Sequence, residues 1–365
     1  MNRTVLMAVA GGLAALAVVA GAVFLLTRGG DETPAADETD APAASVEIVD
    51  PVGDLIRGDD APAPLDPDRP RLIAGAPDPA YGAFQRGLYL EAVEHATPLA
   101  EAGNAPAQTL LGLIYSQGLG VPQDIEAGFR WFSAAAEGGD AFAQFAMGQA
   151  YLEGLGVEPD PVAAAGFFER AATQGNAQAL YNLGLMTLAG DVRQRDPQLA
   201  ADYFSRAAEG GVADAQYELA HLYMEGEGVI LSDPIANSWL RRAAEAGHID
   251  AQLEYAIRVF NGIGLFANEE AAAIWFERAA ESGHPIAQAR LAILYLYGAG
   301  VPADPVAAGK WYLLARAAGL TEPTLEAFFA DLPPAQQAAA TDAANRWMSG
   351  DPIAPAPLRP AEPAE

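Results

Sequence analysis

The sequence contains no cysteine, one lysine (Lys310) and four histidines, and its 20 basic residues face 48 acidic ones for a formal net charge of −28. Without cysteine there is no disulfide framework, no thiolate zinc site, no iron–sulfur cluster and no cysteine nucleophile. A single lysine removes any chemistry that needs two. A surface this acidic repels phosphate, which sets nucleic acid aside as a partner. Catalytic signatures are missing too: there is no G-x-S-x-G, no H-E-x-x-H and no G-x-x-x-x-G-K-[ST]. A Ser-x-x-Lys nucleophile would need serine three residues before Lys310, where Ala307 stands. His95, His221, His248 and His284 lie far outside usual metal-ligand spacing. No enzyme activity, cofactor or metal is expected.

One long apolar run is present. Val5 to Leu26 carries no charge, and as a helix it would reach about 33 Å, enough for a bilayer core of about 30 Å. Ala20-Gly21-Ala22 resembles a signal-peptidase site, but apolar sequence continues through Val23-Phe24-Leu25-Leu26, so an uncleaved anchor is the better reading. Arg3 precedes the run, while Arg28 is followed by Asp31, Glu32, Asp37, Glu38 and Asp40. Positive charge stays on the cytoplasmic side. The expectation is a single-pass anchor (1–28) in a bacterial inner membrane, with a cytoplasmic amino terminus and the rest periplasmic. Residues 29–79 are acidic and rich in proline and alanine, and they read as a disordered, extended linker. The proline-rich residues 350–365 read as a disordered tail.

Between them the chain repeats itself. Six contiguous units of 36 residues run from 104 to 319, with no insertions. Position 4 is always alanine (Ala107, Ala143, Ala179, Ala215, Ala251, Ala287), and position 15 is always glycine (Gly118 to Gly298). Position 28 is always aromatic (Trp131, Phe167, Tyr203, Trp239, Trp275, Trp311). Ala107 to Tyr115 shows helical spacing and ends at Gly118, where a positive φ turns the chain. A second helix begins at Asp124, Asp160, Asp196 or Asp304, each able to cap free N–H groups, and proline follows three of them. A helix–turn–helix of this kind cannot bury its own apolar face. Six stacked units give one continuous core. Residues 80–103 and 320–349 read as helical caps at the two ends.

Ala107, Leu111-Gly112, Tyr115, Gly118, Gly120-Val121, Asp124, Ala127, Trp131, Ala135-Ala136 and Gly139 together resemble the Sel1-like repeat, a relative of the tetratricopeptide repeat. The resemblance implies an all-α fold, a right-handed α-solenoid superhelix of stacked helix–turn–helix units. Two units depart from the pattern, and their turns are expected to differ in shape. Unit 176–211 has Thr187 and Asp191-Val192; unit 248–283 has Val259 and Asn268.

By analogy with tetratricopeptide repeats, the first helix of each unit should line the concave wall. Positions 4, 8, 9 and 12 should pack inward, leaving 3, 6, 10, 13 and 14 to face the groove. These positions give Phe142, Phe145, Tyr181, Leu185, Tyr217, His221, Met224, Ile257, Phe260, Leu296 and Tyr297 as the candidate partner-binding groove. Aromatic and methionine side chains are favoured interface anchors. The resemblance implies a non-catalytic scaffold or regulator that binds a protein or peptide, such as an envelope sensor or assembly protein. The alternative is an envelope enzyme or accessory factor acting on peptidoglycan or a β-lactam-like ligand; a convergent polar cluster in the groove would favour it.

Overall fold

The computed structural model describes residues 79–350 apart from Arg193. The expected anchor, the linker through residue 78 and the tail from 351 lie outside the described residues. Within them there are sixteen helices and no strand. Two lead in, α1 (Pro79–Gln85) and α2 (Tyr89–Glu101). Six pairs follow: α3 (Ala105–Gln117) with α4 (Ile125–Glu137), α5 (Ala141–Glu153) with α6 (Pro161–Thr173), and α7 (Ala177–Ala189) with α8 (Pro197–Glu209). Then come α9 (Ala213–Glu225) with α10 (Asp233–Glu245), α11 (Ile249–Asn261) with α12 (Glu269–Glu281), and α13 (Pro285–Tyr297) with α14 (Pro305–Ala317). α15 (Pro323–Asp331) and α16 (Pro334–Ser349) close the described chain. No helix among the described residues is long and apolar enough to cross a membrane.

Local chemistry sets these boundaries. Each first helix of a repeat ends on a left-handed glycine, such as Gly118 at φ 69°. Asp124, Asp160, Asp196, Ser232, Asn268 and Asp304 each accept a backbone N–H at the start of the second helix. The turn is closed by the N–H of that capping residue, which donates to the backbone oxygen of position 12, from Tyr115 through Tyr295. The acceptor is backbone, so Thr187 and Val259 serve as well as tyrosine. The fifth turn therefore matches the others, with Gly262 and Gly264 both at positive φ and Asn268 capping as aspartate does. Only the third turn lacks the second glycine, where Val192 stands.

The core runs between paired helices. Ala143, Ala179, Ala215, Ala251 and Ala287 are fully buried, as are Phe168 and Phe204 of the second helices. The close approach has a sharp limit: a Cβ on Gly148 would sit 2.5 Å from the Phe168 ring. A seam of glutamines ties five of the six repeats to the helix before; the third has Leu180 at this position. Gln108, Gln144, Gln216, Gln252 and Gln288 are buried, and each donates Nε2–H to a carbonyl in the last turn of the preceding helix. Each of those carbonyls also accepts the backbone N–H of the glycine three residues on (Gly103, Gly139, Gly211, Gly247 or Gly283), so the glutamine supplies a second donor and finds a partner for its own buried amide. At the amino end, Ala92, Ala96 and Ala100 of α2 pack with Leu110, Leu111 and Ile114 of α3. At the carboxyl end, Trp347 of α16 meets Trp311 edge-on at 6.4 Å, and Phe329 of α15 lies 5.5 Å from Tyr312.

Candidate interaction face

The stripe expected from spacing lies on the first helices, half in and half out of the core. Phe142, Phe145, Tyr181, Leu185, Tyr217, His221, Met224, Ile257, Phe260 and Leu296 are all half-buried. Their inner edges pack: Phe142 against Phe132, Phe145 against Phe168 and Tyr181 against Phe204, at 5.8–6.3 Å between ring centres. Tyr297, at the last turn of α13, is 65% exposed. Leu253, at position 6 of its unit, is buried instead.

Position 7 belongs to the same face, although the count of groove positions leaves it out. Positions 3, 7, 10 and 14 are spaced four, three and four apart and so stack on one side of a helix. Glu218, Glu254 and Arg290 occupy position 7 in the last three repeats, and all are half-buried. The face is therefore rich in aromatic and apolar side chains in the second and third repeats, set among Gln149, Glu153, Gln178 and Asn182, and carries charge at position 7 from the fourth onward.

A polar cluster centres on Tyr217 and His221 of α9. The Tyr217 ring stacks on His248 at 4.4 Å and meets His221 edge-on at 4.5 Å. His221 Nε2 lies 3.0 Å from Glu254 Oε2 on the next first helix. The approach is off the line of a hydrogen bond, so the contact is an ion pair by distance. Burial alone pulls the His221 imidazole down, but the carboxylates of Glu254, Glu218 and Glu225 outweigh it and leave its pKa raised. Burial pushes Glu218 up, with His221 opposing and Asp214 and Glu225 adding to the rise. Tyr217 and Tyr181 are pushed up by burial and then by neighbouring carboxylates, so both phenols stay neutral.

His248 and His284 perform a joint function. Each is the N-cap of its repeat's first helix, with Nδ1 accepting the N–H of Ala251 or Ala287. The proton then sits on Nε2, which points back to Asp214 at 3.5 Å or Asp250 at 3.3 Å in the preceding repeat. The hydrogen bond from His284 holds the Asp250 carboxyl below its usual range. The two histidines are thus consecutive inter-repeat fasteners, and no His/Asp/Glu group among the described residues is arranged to hold a metal ion. A shallow depression of about 630 Å³ lies at the first turn, lined by Tyr115, Pro122, Gln123 and Asp124, and contains no residue of the stripe.

The raised His221 pKa has a measurable consequence. A histidine that folding holds protonated contributes stability fully below its unfolded pKa of about 6.5, and loses it as pH rises through the folded value. Glu218, also raised, works in the same direction from lower pH. The thermal unfolding midpoint is expected to fall between pH 6 and pH 8, and His221→Gln is expected to flatten that slope. An unchanged slope in the variant would contradict this assignment.

Paired helices, stacked without strands around a shared alanine-rich core, make this chain a tetratricopeptide-like helical-repeat solenoid. It belongs to the Sel1 repeat family. The Sel1 repeat model matches residues 105–140, 141–176, 177–212, 213–248, 249–284 and 285–320, one residue later than the units counted from the sequence. Among solved structures, a Sel1 repeat protein from Oxalobacter formigenes is 29% identical, with a TM-score of 0.60 over 66% of this chain and 98% of that one. A protective antigen of uropathogenic Escherichia coli strains, c5321, displays the same type of repeat fold. It is 28% identical, with a TM-score of 0.47 over 72% of this chain and 64% of that one. No curated protein matches the sequence. Sel1 repeat proteins generally mediate protein–protein interaction, and the family is typically non-catalytic.

Proposed function

We propose that this chain is a non-catalytic scaffold or regulator of the bacterial cell envelope, and that it binds a protein or peptide along the face of its first helices. The observation that carries this reading is the half-buried aromatic stripe ending in the exposed Tyr297. Half-buried rings are held in place by the core and still offer apolar surface, which lowers the ordering cost of binding. The partner lies lengthwise across repeats and meets apolar side chains first and the Tyr217–His221 cluster farther on. Residues 5–26 anchor the chain in the inner membrane, and the repeats stand in the periplasm.

The polar cluster is the observation on which an enzymatic reading would rest. Glu254 is spent on His221, Glu218 is half-buried beside it, and the cluster contains no serine, threonine or lysine to act as a nucleophile. The scaffold reading is therefore preferred over an accessory factor for peptidoglycan or a β-lactam-like ligand.

Tagged full-length protein purified from its host should bring down one enriched protein. Tyr297→Ser should reduce its recovery about tenfold, while Arg206→Ser on α8 should leave it unchanged. Equal recovery from both variants would overturn the binding face. The membrane placement has its own test. A reporter enzyme fused after Asp40 should be active only in its exported form, and activity confined to the cytoplasm would reverse the topology.

A further inference from the structure

The turns that join first and second helices follow directly on the C-terminal ends of the first helices, and each packs on the second helix of the preceding repeat, as Gly228 does on Pro197 and Gly300 on Glu269. Position 19 lies at the tip of each turn: Pro122, Glu158, Gln194, Ile230, Phe266 and Pro302. Four repeats close the turn with proline or a polar residue, so the fold does not require an apolar tip. The fourth and fifth place Ile230 and Phe266 there, 89% and 97% exposed, and Leu231 beside Ile230 is 60% exposed. The two apolar tips are neighbours, one repeat apart.

They are also held rigidly. Asn237 at the start of α10 donates Nδ2–H to the Ile263 carbonyl at 2.8 Å, which fastens the fifth turn onto the fourth repeat. Gly264 packs against Asp233 and Asn237 so closely that no Cβ fits. The buried Arg258 guanidinium ties the same two residues together, bonding both Asn237 and Asp233. Turns fixed before binding lose little freedom on binding.

Charge around the tips is predominantly acidic. Glu225, Glu227, Asp233, Glu269 and Glu270 flank them; Arg195 pairs with Glu227 and Arg258 with Asp233, and neither 207–240 nor 259–277 contains a lysine or arginine. Anionic lipid is repelled by such a rim, whereas a basic protein surface is drawn to it.

We propose that the turn edge of repeats four and five is a docking surface for a protein element with an apolar face rimmed by basic residues. Its anchors are not residues of the first-helix stripe, and it does not depend on that reading. Phe266 and Ile230 are the anchors, and the acids steer the approach and exclude acidic competitors.

The test uses full-length protein in discs of phosphatidylcholine, with empty discs subtracted. The probe is a labelled helical peptide of two Leu-Lys-Lys-Leu-Leu-Lys-Leu heptads at about 0.15 M salt. The double variant Phe266→Ser/Ile230→Ser should weaken binding about tenfold, and Glu269→Gln/Glu270→Gln by a few-fold. Both anchors face water, so circular dichroism should be unchanged. Val162→Ser, which removes a 65% exposed apolar residue of α6, and Tyr297→Ser on the first-helix face should bind as wild type. A peptide with glutamine for every lysine should bind about tenfold more weakly. Equal affinity of wild type and the Phe266→Ser/Ile230→Ser variant would overturn the proposal, since only general charge attraction would remain. So would equal binding of the glutamine peptide. A photocrosslinker at Phe266 that labels disc lipid rather than peptide would overturn it in favour of a membrane contact.

Discussion

Arg258→Ala is expected to cost about 3 kcal/mol, with hydrogen exchange rising first in α10 and α11. Position 11 is apolar in the other five repeats: Ile114, Ala150, Met186, Leu222 and Leu294. In the fifth it is Arg258, buried, with Nη1 3.1 Å from Met224 Sδ and its other nitrogens on Asn237 and Asp233. Truncation leaves buried Asn237 without its donor and opens a void. Asp233 is partly exposed and can rehydrate, which keeps the cost near the lower end of the usual range for breaking a buried pair. Arg258→Leu/Asn237→Ala places there the residue types found elsewhere at these positions, Leu222 and Ala201. That double variant is expected to lie within about 1 kcal/mol of wild type, because an apolar replacement of a buried ionic network is often neutral. Urea unfolding followed by tryptophan fluorescence measures both. If Arg258→Ala is neutral, the network carries no stability. If the double variant is as damaged as the single, the loss comes from side-chain fit and not from an orphaned polar group.

The second large effect is expected at Gly300. Its φ is +69°, and an added Cβ would run into the carbonyl group of Glu269 at the start of α12. Gly300→Ala combines the left-handed penalty of about 1 kcal/mol with overpacking against backbone of about 2 kcal/mol, for about 3 in total. Gly319→Ala is the matched comparison. Its φ is +88°, with nothing within 4 Å of the added Cβ, so only the conformational cost of about 1 kcal/mol applies. Equal losses at the two sites in the same urea experiment would show that contact with the neighbouring repeat is not what fixes Gly300.

The period and the helix pairing were legible because six copies repeat the same constraints. Alanine at position 4, glycine at 15 and an aromatic at 28 recur wherever two helices approach or a chain turns, and each recurrence confirms the others. The turn changes in the fifth repeat were misleading because its bonds use backbone atoms and a cap that asparagine serves equally well. What distinguishes one repeat from the next was harder to read. The glutamines at position 5 were visible in five of six copies, but burial of a polar side chain depends on a carbonyl from the preceding repeat. The charges at position 7 lie on the stripe by helical geometry alone, and a groove counted as positions 3, 6, 10, 13 and 14 left them out. Ile230 and Phe266 stand out when position 19 is compared across the units, and their exposure follows only from how the turn is folded. Arg258 reads as a surface charge until Asp233 and Asn237 of the preceding repeat are placed beside it.

The most direct test of the interaction face is photocrosslinking in cells, with benzoylphenylalanine placed in turn at Tyr297, at Phe260 and, as a control, at Arg206 of α8. One dominant adduct of the same mass is expected from Tyr297 and Phe260, and none from Arg206. Adducts of equal yield from all three positions, or crosslinks only within the chain from the two stripe positions, would contradict it.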